Sequence, residues 1–193
     1  MSAIIEKLRA GTKARHAALE GKLPLLDPHF GLDAYRQLLG RFYGYYAPLE
    51  ARLLDLPSLA LVGVHYEERR KTPHLERDLL ALGETSFSVS RLPLCEALPS
   101  LDTLARAMGC LYVIEGSTLG GQFITRHLSA KLGLTRDTGG AFFFGYGLET
   151  GPRWKAFCEL LSALAERDKR DEEIVASAEL TFATIDAWLF PLS

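Results

Sequence analysis

The chain has 193 residues, enough for one domain with a sizeable core. Hydrophobic residues make up 48% and charged residues 24%, and a formal net charge of -2 gives no electrostatic argument for nucleic acid or an anionic membrane. Cys95, Cys110 and Cys158 are odd in number and include no C-x-x-C pair, which disfavours a disulfide framework and a cysteine-built zinc site.

No apolar run approaches the roughly 18 residues of a membrane span. The opening "MSAIIEKLRAGTKARH" carries charges too early for a signal peptide, so a cytoplasmic location is expected. Residues 3–20 set Ile5, Leu8, Thr12, His16 and Leu19 on one stripe of an amphipathic helix, which Pro24 and Pro28 then break. Residues 31–56 form a second long helical pattern, with Pro48 as the expected kink. In "TPHLERDLLALG" Thr72 is the expected N-cap, with Pro73 at the first helical position and Gly83 as the stop. Ser100 is the next expected N-cap, and helical spacing runs from it through Ala130 to Gly133. "TRDTGGAFFFGYGLETG" reads as an ordered loop; Pro152 opens a helix through Arg167, and Asp171 caps the last one. No alternating strand pattern, linker or repeat interrupts this series. The expectation is a single all-α domain, residues 1–193, of six to eight helices.

The stretch "VIEGSTLGGQFITRH", residues 113–127, lies inside helical spacing yet holds Gly116, Gly120 and Gly121. Each glycine costs about 1 kcal/mol relative to alanine in a helix interior. A phosphate cradle would need a strand-loop-helix context, and a P-loop would also need G-K-[ST]; neither is present. Two readings remain open. Small residues let helices approach closely, or a bare helix backbone lies against a flat ligand. Gly116 and Gly120 are one turn apart and share a face, and Gly109 lies two turns earlier on a similar azimuth.

His16 lies on the apolar stripe of the first helix, where a lone histidine is more often a satisfied core residue than a ligand. Glu20, at i+4, can reach the same face and hold the second ring nitrogen of a ligating imidazole. Lys13 and Arg9 project near that side and could meet acidic groups at a ligand's rim, although most such cations are solvated surface charges. Phe182, in the last helix, could pack on a ligand edge or fill core. His29, His65 and His74 fall in or near expected loops and caps, and His127 lies beyond the glycines.

Together, these motifs resemble the heme oxygenase family, in particular its bacterial biliverdin-producing branch. "TKARHAALE" (12–20) is similar to the proximal-helix motif that supplies the axial histidine. "YRQLLGRFYGYYAPLE" (35–50) is similar to a tyrosine-rich second helix, and "EGSTLGGQ" (115–122) to the glycine-kinked distal helix. The resemblance implies a cytoplasmic iron- and heme-binding oxidoreductase for heme degradation. Heme b would be substrate and cofactor, its iron held by His16, and cleavage at a meso carbon would consume O2 and external electrons to give biliverdin, CO and ferrous iron. A separate reductase or ferredoxin would supply the electrons, and a bilin-accepting protein could take the product.

By the same resemblance Gly116, Ser117, Gly120 and Gly121 would form the catalytic distal side. His16, Glu20, Lys13, Arg9 and Thr12 would hold heme, with Phe182 on its edge and Arg126 and Lys155 as further propionate partners. Animal members carry an aspartate where Ser117 stands, so a proton path here would rest on backbone carbonyls, water and a hydroxyl that does not ionise near neutral pH. The alternatives are a heme carrier or storage protein with the same pocket, and unrelated chemistry on the same helical scaffold.

Overall fold

Among the described residues, 2–191, the computed structural model holds ten α-helices, three 3-10 turns and no strand. In chain order the helices are α1 (Ala3–Lys22), α2 (Leu32–Leu54), α3 (Pro57–Leu61), α4 (Thr72–Ala81) and α5 (Ser86–Ser90). They continue with α6 (Leu104–Gly116), α7 (Thr118–Leu132), α8 (Ala141–Phe144), α9 (Thr150–Asp168) and α10 (Asp171–Leu189). Seven have ten or more residues, within the expected six to eight; α3, α5 and α8, of five, five and four residues, carry too little periodicity to be read.

Helix α6 occupies the centre. Every residue from Ala107 to Glu115 is buried, as a helix apolar on all sides requires. Its largest partner is α10. Gly109 sits at that crossing, where an added Cβ would run into the Ile174 carbonyl oxygen and lie 2.9 Å from Ser177 Cβ. Gly109 therefore belongs to a helix contact, and not to a ligand-facing strip as its azimuth suggested. The Ser177 hydroxyl secures the same crossing by donating to the Arg106 carbonyl at 2.7 Å.

Helix α1 packs on α10 and α9. Its stripe is buried at Ile4, Ile5, Leu8 and Thr12, and then the cover stops. The second half of the same stripe, His16 and Leu19, lines a cavity. An amphipathic helix longer than the core beneath it has delivered a histidine into open space.

Several helix starts differ from expectation. Thr103, not Ser100, caps α6: its hydroxyl accepts the Arg106 N–H at 3.2 Å and donates to Glu173 at 2.9 Å. Thr72 is already helical, and the carboxylate of Glu50, reaching across from α2, takes the Lys71 N–H and, at 3.1 Å, the Thr72 N–H. Asp171 is the first residue of α10 and not its cap; with Glu172 and Glu173 it places three acids on the positive helix end. The stop at Gly133 is as expected, in the left-handed region at φ 68°.

The expected single helix from 100 to 130 is two, divided at Ser117. Ser117 donates its hydroxyl to the Ile114 carbonyl at 2.9 Å, and Thr118 donates to the Glu115 carbonyl at 2.6 Å. Two successive hydroxyls thus compete for carbonyls of the last turn, next to a glycine that resists bending least.

The aromatic segment expected to be loop contains α8, seated by a distant residue. Buried Asp78 of α4 accepts the Ala141 and Phe142 N–H groups at 2.8 and 2.7 Å. That cap fixes Phe142 and Phe143 in the cavity wall.

Candidate active site

The cavity of about 520 Å³ lies between α1 and the α6–α7 break, within the range that holds a sizeable organic ligand. On the α1 side it is lined by Arg9, Thr12, Lys13, His16 and Glu20, with Phe182 of α10 beside them. His16 is half-exposed, its Nε2 3.4 Å from Glu20 Oε1, and its ring meets Phe182 edge-on at 5.5 Å. Ligation through Nε2 requires the ring to turn and pass its other nitrogen to the carboxylate. Thr12 is not free to bind anything through its proton, which goes to the Leu8 carbonyl at 2.7 Å.

Gly116, Ser117, Gly120 and Gly121 line the other side. Their geometry separates the two readings of the glycines. An added Cβ on Gly120 would meet nothing, so this backbone is open to the cavity. At Gly116 it would lie 3.3 Å from the Trp154 ring. At Gly121 it would collide with the Phe143 carbonyl oxygen, so this glycine lets α7 rest directly on α8. Close approach explains Gly109 and Gly121, and a bare face describes Gly120 and, in part, Gly116.

Between these sides the walls are aromatic and aliphatic, with Phe42, Phe142, Phe143, Val113, Ile124 and Ile185 among them. Tyr46 of α2 stands behind Ser117. Burial pushes its phenol far above the usual range, and a hydrogen bond with Ser117 works the other way.

Sequence reasoning did not find a buried ionic cluster at this wall. Lys71, which lines the cavity, donates to Glu115 Oε1 at 2.9 Å, to the Arg69 carbonyl at 2.8 Å and to the Tyr146 hydroxyl. Arg69 donates to Glu115 Oε2 at 2.7 Å, and Tyr146 donates to the same carboxylate at 2.9 Å. Burial pulls the Lys71 ammonium below the usual lysine range, with Glu115 opposing it. A signal for half of this cluster existed: Glu115 is the single charge in the apolar run "CLYVIEG". Lys71, inside the charged run "EERRK", gave none.

Arg126 and Lys155 are not among the cavity's lining residues. Arg126 is exposed and donates to its own helix at Gln122, 3.4 Å away. Lys155 is 80% exposed, 3.9 Å from Glu159, and borders a separate open groove between α1 and α9 that also touches Arg9 and Trp154. None of His29, His65, His74 and His127 lines the cavity.

A single imidazole facing an open peptide strip across a flat, mostly apolar slot, with cations at the mouth, suits a planar anionic macrocycle whose metal needs one protein ligand. Residues 2–190 match the family model described as heme oxygenase. A protein named heme oxygenase from Xanthomonas campestris pv. campestris (strain 8004) is 32% identical over 157 residues, 80% of this chain and 88% of the relative. The NO- and CO-bound heme oxygenase of Neisseria meningitidis superposes with a TM-score of 0.77 at 22% identity, over 98% of this chain and 90% of the other. Heme oxygenase from Leptospira interrogans gives 0.77 at 18% identity, over the whole of both chains. At those identities the two structures speak for the fold; the family rests on the model and the sequence relative. No described helix is long and apolar enough to cross a membrane.

Proposed function

The chain belongs to the heme oxygenase family, enzymes that degrade heme, and from that premise we propose that it cleaves heme b at a meso carbon to biliverdin, CO and ferrous iron in the cavity beneath the α6–α7 break. The observation that carries the reading is the half-exposed His16 opposite the unfilled face of Gly120. Heme, as substrate and cofactor, supplies the iron at which O2 is reduced.

The chain's own residues then have separable tasks. His16 would hold the iron through a ring nitrogen, and Glu20 would fix the orientation of its ring. Arg9 and Lys13, at the cavity rim, pair with the propionates. Phe182, edge-on to His16 with the two rings inclined at 68°, bounds the porphyrin edge. The peptide at Gly116 and Gly120 crowds the opposite side without a side chain in the way. Ser117, held against Ile114 and backed by Tyr46, offers a hydroxyl to a proton-bearing water. Aromatic walls from α2 and α8 exclude bulk solvent. Electrons come from a separate reductase or ferredoxin, and the product passes to whatever protein accepts bilins.

Purified protein mixed with hemin and then given ascorbate or a ferredoxin–reductase pair in air is expected to form a sharp Soret band that decays to a green product. A Soret band that persists under reductant would identify a carrier and refute the enzyme. No band at all would refute heme binding. In His16→Ala the bond from the protein to the iron is expected to be lost, together with turnover; an unchanged spectrum would remove His16 from its role.

A further inference from the structure

The buried cluster beside Ser117 carries an unbalanced charge. Lys71 is 4% and Glu115 1% exposed, and Arg69 joins them, so two cations share one interior carboxylate. The second buried acid, Glu50, accepts the Lys71 and Thr72 N–H groups and the Tyr66 hydroxyl, and lies 3.7 Å from Arg70. Counting it with Arg70 leaves the same excess of one positive charge. Glu67, on the outer side of Arg70, is 69% exposed and screened by water.

The remaining groups facing Lys71 do not cancel this excess. Tyr146, from the segment between α8 and α9, stays protonated, since burial and Glu115 both push its phenol far above the usual range. Arg153 of α9 stacks on the Tyr146 ring at 4.6 Å and adds a further cation. His74 of α4 adds no negative charge here: burial, and then the Lys71 charge, hold its imidazole below the usual range. From α2, the Tyr46 phenol stays neutral, since burial pushes it far above the usual range. The Lys71 ammonium has an acceptor for each of its three protons, so it acts on the cavity through its field and not as a direct ligand.

We propose that Lys71, clamped by Glu115 and Tyr146 with Arg69 beside it, makes the wall opposite His16 a positively biased site that selects small anions over neutral molecules at the heme iron. The inference rests on heme binding through His16, as proposed above. It assigns Lys71 a positioning role: an interior cation that favours negative charge on whatever occupies the iron's open side, in place of an ionisable side chain at Ser117.

The test uses the ferric hemin complex of the full chain, with azide as the anionic probe and CO, on the reduced complex, as the neutral one. In Lys71→Met the azide Kd is expected to rise roughly tenfold, the order of effect of one unit charge at the cavity wall. The pH midpoint at which bound water becomes hydroxide, read from the optical spectrum, is expected to rise by about one unit. CO affinity is expected to stay put, and Lys71→Arg to restore both anion readouts. Azide affinity and midpoint equal to wild type would overturn the proposal, and so would azide and CO weakening in parallel. Should Lys71→Met fail to fold, Arg69→Gln removes the excess charge from outside the cavity; a weaker azide complex supports the proposal and an unchanged one overturns it. A wild-type protein that gives no Soret complex refutes the heme reading itself, a result distinct from an intact complex indifferent to Lys71.

Discussion

His16 and Glu115 show two ways of placing an ionisable side chain beside the same cavity. His16 is half-exposed, with Glu20 at 3.4 Å as its near neighbour, on a helix whose buried stripe ends one turn before it at Thr12. Glu115 is 1% exposed and accepts hydrogen bonds from Lys71, Arg69 and Tyr146. The α1 side leaves His16 and Glu20 exposed to a ligand. The α6–α7 side has used its polar groups to hold its own shape. A binding wall with unspent polar groups is built at little cost to the fold, whereas a wall that must hold bare peptide in place needs interior bonds to fix it.

The sharpest way to break this contrast is to remove one acid from each side. Glu115→Leu strands Lys71 in the interior and is expected to destabilise the protein by about 3–5 kcal/mol. Glu20→Leu, 63% exposed, is expected to change stability by no more than about 1 kcal/mol. Urea unfolding of the two variants checks the difference, and equal losses would erase the distinction between the walls.

Asp78 extends the comparison to pH. Burial raises its carboxyl from the ordinary value to about 6, while the Phe142 and Ala141 N–H groups and Arg77 pull it down. A folded-state value above the unfolded one means that its contribution is fully present below about pH 4 and lost as pH rises through about 6. Against Asp78→Asn, the wild type should therefore lose relative stability between those limits, by at most about 3 kcal/mol. Unfolding free energies at pH 4, 5, 6 and 7 test this, and parallel curves for the two proteins would rule it out.

Two neighbouring glycines test the same contrast at one-residue resolution. Gly121→Ala drives a methyl into the Phe143 carbonyl and is expected to cost about 1–3 kcal/mol. Gly120→Ala meets no atom and should be neutral or gain up to about 1 kcal/mol from helix propensity. Its methyl stands in the cavity, however, so hemin affinity should fall as thermal stability holds or rises. A Gly120→Ala protein with lowered Tm and unchanged hemin affinity would reverse the assignment.

The sequence made the α1 side legible because periodicity alone places His16 on the stripe of Ile5, Leu8 and Thr12. The long helices and the Gly133 stop were legible for the same reason, since helical spacing and a left-handed cap are local features. The opposite wall depends on contacts far apart in the chain. Glu50 caps α4 from 21 residues away, and Asp78 seats α8 across 63. No local pattern marks Lys71 as interior, because its burial is decided by where Glu115 and Tyr146 arrive. The glycines show the same limit. Gly109, Gly116, Gly120 and Gly121 all interrupt one apolar pattern, and only the neighbours at Ile174, Trp154 and Phe143 tell a crossing from an open face.

The smallest expected effect concerns the cations. Arg9 and Lys13 line the cavity, whereas Arg126 and Lys155 stand outside it, Lys155 beside the groove that Arg9 also borders. If rim position decides the seating of the propionates, Arg9→Ala and Lys13→Ala should shift the ratio of biliverdin isomers, and Arg126→Ala should not. Exposed ion pairs are worth about 0–1 kcal/mol, which corresponds to a change of at most about fivefold in that ratio. Lys155→Ala is the informative case. A shift equal to that of Arg9→Ala would mean that a propionate leaves the main cavity and runs into the α1–α9 groove, making the floor of the site wider than His16 and its helix alone. Chromatographic separation of the isomers from single-turnover reactions distinguishes these seatings.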